Sequence, residues 1–271
     1  MSFKDHFSRQ SAAYSRYRPG YPPELIDWVA SQAPDRRLAV DCATGSGQAA
    51  IALAARFEAV IALDGSLSQL LNAVPRPNVA YVAALAERLP LRDASVSLVA
   101  AAQAAHWFDF ERFHAECRRV LVPGGVVAAW TYEKFRVDEA VDAVIDDFYE
   151  RVLGEFWPPE RRYVEQGYRM LPFPWREEPV PAFALETTWD LEQVVGYLGS
   201  WSSVQRYRDR HGRDPLPDLR GPLGSAWGGT GPRRLCWPIH LRLGRRRRPR
   251  HGDSAGPPHN APDAGPFRVR E

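Results

Sequence analysis

The stretch Leu38-Ala-Val-Asp41-Cys-Ala-Thr-Gly45-Ser-Gly47-Gln-Ala-Ala50 decides the fold. Its first four residues read as a short buried strand. Gly45-Ser-Gly47 is a turn, and Gln48 to Phe57 is helical. The same pattern then repeats. Ala59–Leu63 is a second strand ending at Asp64, with Ser66 placed to cap a helix through Leu71. Val79–Val82 and Val96–Ala102 are the next strands, Phe110–Leu121 is a helix, and Pro123-Gly124-Gly125 turns the chain into Val126–Tyr132. Apolar strands alternating with helices of about ten residues predict βαβ units and a parallel sheet covered on both faces. Upstream, Pro22-Pro23-Glu24 opens a helix whose apolar side carries Leu25, Ile26, Trp28 and Val29.

Working outward, Asp138–Leu153 is predicted to be an amphipathic helix. Residues 154–182 carry Trp157, Tyr163, Tyr168, Phe173 and Trp175 among six prolines. That composition is too apolar for a linker and predicts a cap on the edge of the sheet. Phe183–Trp189 reads as a strand, Leu191–Tyr207 as one helix, and Trp237–Leu243 as a last strand. Residues 215–234 hold nine Gly or Pro and are predicted to be irregular. The expected architecture is a Rossmann-like, doubly wound, mostly parallel seven-stranded sheet. It spans residues 1–244, and residues 245–271 form a disordered basic, Pro/Gly-rich tail.

Charge follows this division. The chain's net charge is +2, but seven Arg against three acids beyond residue 244 make that segment +4 and leave the body at −2. A nucleic-acid binder would carry a basic stripe within its folded part, and none is evident, so no nucleic-acid partner is expected. No run approaches the roughly 18 apolar residues of a membrane span, and the N-terminus lacks the apolar core of a secretion signal. Cys42, Cys117 and Cys236 are isolated and odd in number, which fits free thiols in a cytoplasmic protein without a structural metal.

The chemistry gathers at strand tips. Glycines at 45 and 47 let backbone approach a ligand closely. Asp41 can accept hydrogen bonds from a cationic ligand, and Asp64 can take both hydroxyls of a ribose. Gly45-Ser-Gly47-Gln-Ala-Ala50 also fits the dinucleotide pattern G-x-G-x-x-A, which keeps an NAD(P)-dependent oxidoreductase open. The anionic pyrophosphate would however be repelled by Asp41. Local readings also exist. Asp41 and Asp64 could be helix caps, Glu87 a solvated charge, and His106 and Trp107 core aromatics.

Six segments in order carry a family resemblance. They are Tyr14-Ser-Arg-Tyr17-Arg18-Pro-Gly-Tyr21-Pro, Asp41-Cys-Ala-Thr-Gly45-Ser-Gly47-Gln48, Leu63-Asp64, Ala86-Glu87-Arg-Leu89-Pro90, Gln103-Ala-Ala-His106-Trp107-Phe108 and Leu121-Val-Pro-Gly124-Gly125. Over about residues 3–244 the chain resembles the class I S-adenosylmethionine-dependent methyltransferases, in the small-molecule branch that includes trans-aconitate-methyltransferase-like proteins. The resemblance implies S-adenosyl-L-methionine as cofactor and S-adenosyl-L-homocysteine as product. It implies Asp41, Ala43, Gly45 and Gly47 around the methionine moiety, Asp64 on the ribose, and Ala86 and Glu87 near the adenine. Gln103 and His106 would lie beside the transferable methyl, with Tyr14, Tyr17 and Arg18 in an N-terminal lid. Ala43 stands where the usual first glycine of the loop would be, and Leu85 where a polar residue is common. These departures motivate a third reading, a binding module without turnover.

The expected acceptor is a small molecule, with a carboxylate as the candidate group and Tyr17, Trp107 and Tyr163 as candidate substrate contacts. Arg161, Arg162 and Arg169 are candidates for holding a carboxylate, though arginines are more often solvated. Gln103-Ala-Ala-His106 replaces the Asn/Asp-Pro-Pro-Tyr/Phe motif that cradles planar amines, which argues against base or amide methylation. His106 is the candidate base should the acceptor be a hydroxyl or ammonium, whereas a carboxylate needs none. A monomer or weak homodimer is expected.

Overall fold

The structure, a computed structural model, describes residues 20–247. The Tyr14, Tyr17 and Arg18 expectations therefore fall outside the described residues. Strands β1 (Leu38–Cys42), β2 (Ala59–Asp64), β3 (Val79–Ala83), β4 (Val96–Ala102), β5 (Leu121–Tyr132), β6 (Phe183–Trp189) and β7 (Arg233–Arg245) form one sheet in the order β3-β2-β1-β4-β5-β7-β6. All pairings from β3 to β5 are parallel, and β7 runs antiparallel to both β5 and β6. This is the predicted seven-stranded, mostly parallel sheet.

Successive residues of a strand face opposite sides, and both faces here are dry. Ala39, Leu98, Ala100, Val126 and Ala128 pack under α1 (Pro23–Gln32) and α2 (Gln48–Ala54). Val40, Val99, Ala101, Val127 and Ala129 pack under α4 (Phe110–Val120). Between β2 and β3 lies the single short turn of helix α3 (Leu67–Leu71). Asp109 caps α4 through the Arg112 amide, 3.2 Å, so the helix starts where the sequence places it.

The second half departs from expectation in three places. The helix read over 138–153 is α5 (Glu139–Asp147) continued by a wider π-type turn, Phe148–Val152. The single helix read over 191–207 breaks at Ser200 into α7 (Leu191–Gly199) and α8 (Ser202–His211), and the short cap helix before them is α6 (Arg161–Glu165). Residues 216–227, predicted to be irregular, form α9 (Leu216–Trp227). Pro217 falls in its first turn, where no amide donor is needed. Leu216, Leu219, Leu223 and Trp227 are all buried at helical spacing, and Gly228 ends the helix at φ +72°. That apolar stripe outweighs the hydrogen bond lost at Pro222.

The cap segment packs into the core beside α4. Val164, Tyr168 and Leu171 are buried there. The Trp175 indole donates to His114 Nδ1 at 2.8 Å, and the same imidazole meets the Pro172 carbonyl through Nε2 at 3.0 Å. The boundary drawn after residue 244 falls too early. Arg245 pairs with Val126 in β7, bonds the Gln32 and Gly124 carbonyls and faces Glu178 at 3.1 Å. The Arg246 amide donates to Gly125 O at 2.8 Å. Residues 248–271 lie outside the described residues. Among the described residues no helix is long and apolar enough to cross a membrane, and no cluster of His, Cys, Asp or Glu could hold a metal ion.

Candidate functional site

Strand order reverses at β1, which has β2 on one side and β4 on the other. Loops leaving the carboxyl ends there diverge and open a crevice. Pairing of Asp41 with Ala62 and Ala100, and of Asp64 with Ala83, brings both acids to these ends.

Asp41 is 1% exposed. Its Oδ2 accepts from the Thr44 hydroxyl at 2.6 Å, while Oδ1 is buried with no hydrogen-bond partner among the described residues. Burial pushes this carboxyl up to about 7. The Thr44 bond and the Ala50 amide, near but outside bonding geometry, pull it down, and the Asp64 charge pushes it up. Asp64 braces the loop. Oδ2 accepts from the Gly45 amide at 2.8 Å and Oδ1 from the Ser66 amide at 2.7 Å. Neither acid is merely a helix cap, since Gly47 stands at the start of α2 and Ser66 at that of α3. Gly47 has φ +90°, and a Cβ there would sit 2.5 Å from the Tyr81 hydroxyl. Ala43, in the place of the loop's usual glycine, also takes the left-handed conformation, φ +54°.

After β3, Ala86 is buried and Glu87 is half-buried. Glu87 Oε1 accepts from the Asp109 amide at 3.0 Å, tying this loop to the start of α4. After β4, Gln103 has φ +55°. Its Nε2 donates to the Tyr132 carbonyl at 2.9 Å and its Oε1 accepts from the Thr131 hydroxyl. His106 is 7% exposed. Its Nδ1 lies 2.8 Å from the Tyr168 hydroxyl, and its ring packs 4.7 Å from Trp107. Burial, with the Arg161 charge, lowers His106 to about 3, so the imidazole is neutral. An amine-type proton acceptor active near neutral pH would need a far higher value.

Gln103, His106 and Trp107 form one side of a cavity of about 60 Å³. Tyr132 at the end of β5 and Glu133 after it, Trp157 and Arg161 of the cap, and Tyr197 and Trp201 close it. Tyr163 is not among its lining residues. Its ring instead packs edge-on against Phe110 at 5.5 Å. Arg161 is the cap arginine that does reach the cavity. Its Nε donates to the Tyr149 hydroxyl at 2.8 Å, and its guanidinium lies 4.7 Å from the centre of the Trp157 ring. Tyr149 passes its own proton to Glu165 at 2.6 Å. No carboxylate lies within ion-pair distance of Arg161 among the described residues. Sequence reasoning missed Trp157, Tyr197 and Trp201 as cavity walls. The density of rings in the cap was the available signal, but nothing in their spacing tells which ones face inward.

Comparison with known proteins places the fold in a family. A family model described as a methyltransferase domain matches residues 40–129. A candidate methyltransferase of Dictyostelium discoideum is 32% identical over 229 residues, 83% of this chain and 87% of its own length. An uncharacterised methyltransferase of Mycobacterium bovis is 40% identical over 121 residues, 44% of this chain and 49% of its own length. The solved structure of a candidate type II methyltransferase from Anaeromyxobacter dehalogenans superposes with a TM-score of 0.80 at 48% identity, covering 86% of this chain and 99% of that one.

Proposed function

The chain belongs to the class I S-adenosylmethionine-dependent methyltransferases, and from that membership we propose that it methylates a small anionic acceptor, a carboxylate, held against Arg161. The observation that carries the reading is a guanidinium that lines a ring-walled cavity and has no carboxylate within ion-pair distance among the described residues. Arginine presents a planar fork that fits a carboxylate's two oxygens.

The strand tips suit the cofactor. The orphaned Oδ1 of Asp41 is completed by a cationic amino group. Asp64, at the carboxyl end of β2, stands where a carboxylate can take ribose hydroxyls. Ala43, Gly45 and Gly47 expose backbone beside the methionine portion, and Ala86 and Glu87 border the adenine. A dinucleotide pyrophosphate would meet both acids, which disfavours nicotinamide chemistry at this loop. When bound, the cofactor supplies an electrophilic methyl on a sulfonium. The protein's share is orientation and exclusion of water. Gln103 is fixed at both ends of its amide, and the Trp107, Trp157 and Trp201 rings shield the reacting carboxylate. A carboxylate oxygen is already ionised, so the low value of His106 is no obstacle.

The test supplies labelled cofactor and a panel of carboxylic acids beside the matching alcohols and amides. Base-labile methyl esters from the acids are the expected product. Transfer confined to alcohols or amides would overturn the reading.

A further inference from the structure

We propose that Glu133 makes this cavity an acceptor site for zwitterions, taking a protonated amine on the same molecule whose carboxylate lies on Arg161. The inference deepens the reading of the cavity as the acceptor site and rests on it.

Glu133 and Arg161 both border the cavity, one just after β5 and the other at the start of α6. They form no ion pair with each other. Arg161 is engaged by the Tyr149 hydroxyl and the Trp157 ring instead. The cations that neighbour Glu133 in sequence are taken by other acids. Lys134 pairs with Asp146 at 2.5 Å and lies 4.5 Å from the centre of the Tyr149 ring. Arg136, which feels the Glu133 charge, reaches Asp146 at 3.1 Å and Asp142 at 3.7 Å. Glu133 is left with His240 of β7, whose Nε2 lies 3.4 Å from Oε1 and which completes an ion pair only while protonated. Two opposite charges held apart on one cavity suit a ligand that carries both signs.

The rings favour an ammonium over a hydroxyl as the second group. Trp107, Tyr132, Trp157, Tyr197 and Trp201 line the same space. Aromatic faces attract a cation and give a neutral hydroxyl no such gain. The chain already uses this attraction, since the Arg161 guanidinium lies 4.7 Å from the Trp157 ring centre. Selection of oxygen over nitrogen follows. The carboxylate oxygen forms the new bond to the methyl carbon, the carbon–sulfur bond breaks with its electron pair left on sulfur, and no proton is released. An amine held as ammonium by Glu133 has no lone pair to compete for the methyl.

The experiment uses the full-length protein saturated with S-adenosylhomocysteine. Glycine, β-alanine, γ-aminobutyrate and longer ω-amino acids are titrated by calorimetry beside the plain acids, hydroxy acids and dicarboxylates of equal length. Ester formation from the same compounds is read in parallel with labelled S-adenosylmethionine. One amino acid should bind about tenfold more tightly than its plain acid, and that ratio should fall to about one in Glu133→Gln. Glu133→Lys should turn the preference toward the dicarboxylate. His240→Asn removes the same ion pair from its other side and should keep the ratio, which a purely structural role for the pair would not allow. No preference for amino acids, a preference for hydroxy acids, or a ratio that survives Glu133→Gln overturns the inference. So does a Glu133→Gln variant that loses affinity for S-adenosylmethionine but not S-adenosylhomocysteine, because the carboxylate would then serve the sulfonium. A Glu133-dependent preference without ester formation supports the ammonium site and overturns the carboxylate reading alone.

Discussion

Two regions near the carboxyl ends of the strands are made of opposite materials, and the cavity lining includes none of the β1–β2 residues. The β1–β2 wall is backbone, glycine and short acids: Asp41, Gly45, Gly47 and Asp64. The cap wall is large rings around one guanidinium: Trp107, Trp157, Trp201 and Arg161. Burial acts on both, and in each case it favours the neutral form. Asp41 is pushed up to about 7 and His106 down to about 3. The first region presents acids, and the second an arginine with no ion-paired carboxylate among the described residues, although Glu133 also borders that cavity. Asp41 and His106 thus both rest neutral, one ready to be ionised by a cationic ligand and the other to stay uncharged beside Arg161.

The largest expected effect breaks the first wall alone. Asp41→Asn keeps the shape but removes the charge. Affinity for S-adenosylhomocysteine, measured by calorimetry, should fall about 100-fold, as charge-assisted bonds are worth about 1.5–3 kcal/mol. Retained affinity would end the assignment. The same group sets a pH dependence. A protonated Asp41 must lose its proton to pair with an amino group, so affinity should rise with pH up to about 7 and then level off, with a flat profile in the variant. Stability runs the other way. The folded carboxyl lies above its ordinary value of 3.8, so its stabilisation is complete below that value and lost as pH rises through about 7. Free Asp41→Asn should therefore melt higher than the parent protein at pH 8.

Next comes Gly47→Ala. Its Cβ meets the Tyr81 hydroxyl, which is tethered to the Val74 carbonyl at 2.9 Å, and the left-handed backbone adds strain. Cofactor affinity should drop about tenfold, a loss of about 1.4 kcal/mol. Adding Tyr81→Phe should recover part of it, and no recovery would remove the clash as the cause. Arg161→Ala sharpens the contrast from the other side. KM for the carboxylate should rise about tenfold while S-adenosylhomocysteine binding stays unchanged. A parallel loss of both would mean the walls are coupled. The smallest effect is Ala43→Gly. Relief of an Ala at φ +54° should add about 0.5–1 kcal/mol and raise the melting point by about 1–4 °C. Cofactor affinity should change less than twofold in this variant, because only the loop's strain differs.

The same contrast explains what could be read in advance. Asp41, Gly45, Gly47 and Asp64 sit within 24 residues of one another in a repeating strand–helix pattern, so local periodicity places them at neighbouring tips. The cavity draws instead on residues 103 to 202, from loops and four separate elements. Which ring faces inward there is decided by tertiary packing. Hence Trp107 borders the cavity, Tyr163 does not, and the sequence does not tell Arg161 from Arg162 or Arg169. The helix at 216–227 was hidden because its prolines and glycines were weighed by number. The spacing of Leu216, Leu219, Leu223 and Trp227 carried the information. Arg245 and Arg246 looked like the start of a tail, because a run of arginines says nothing of the carbonyls and glutamate that bind them.

The reversed direction of β7 has a practical side. It enters beside the crevice, where Ile239 pairs with Tyr132, and descends to Arg245 beside Val126. Those seven residues of strand span about 20 Å. Arg247, the last of the described residues, thus lies toward the amino ends of the parallel strands, on the far side from the ligand mouth. A tether attached there would hold the molecule on a support with its opening turned outward, ready for solution exchange.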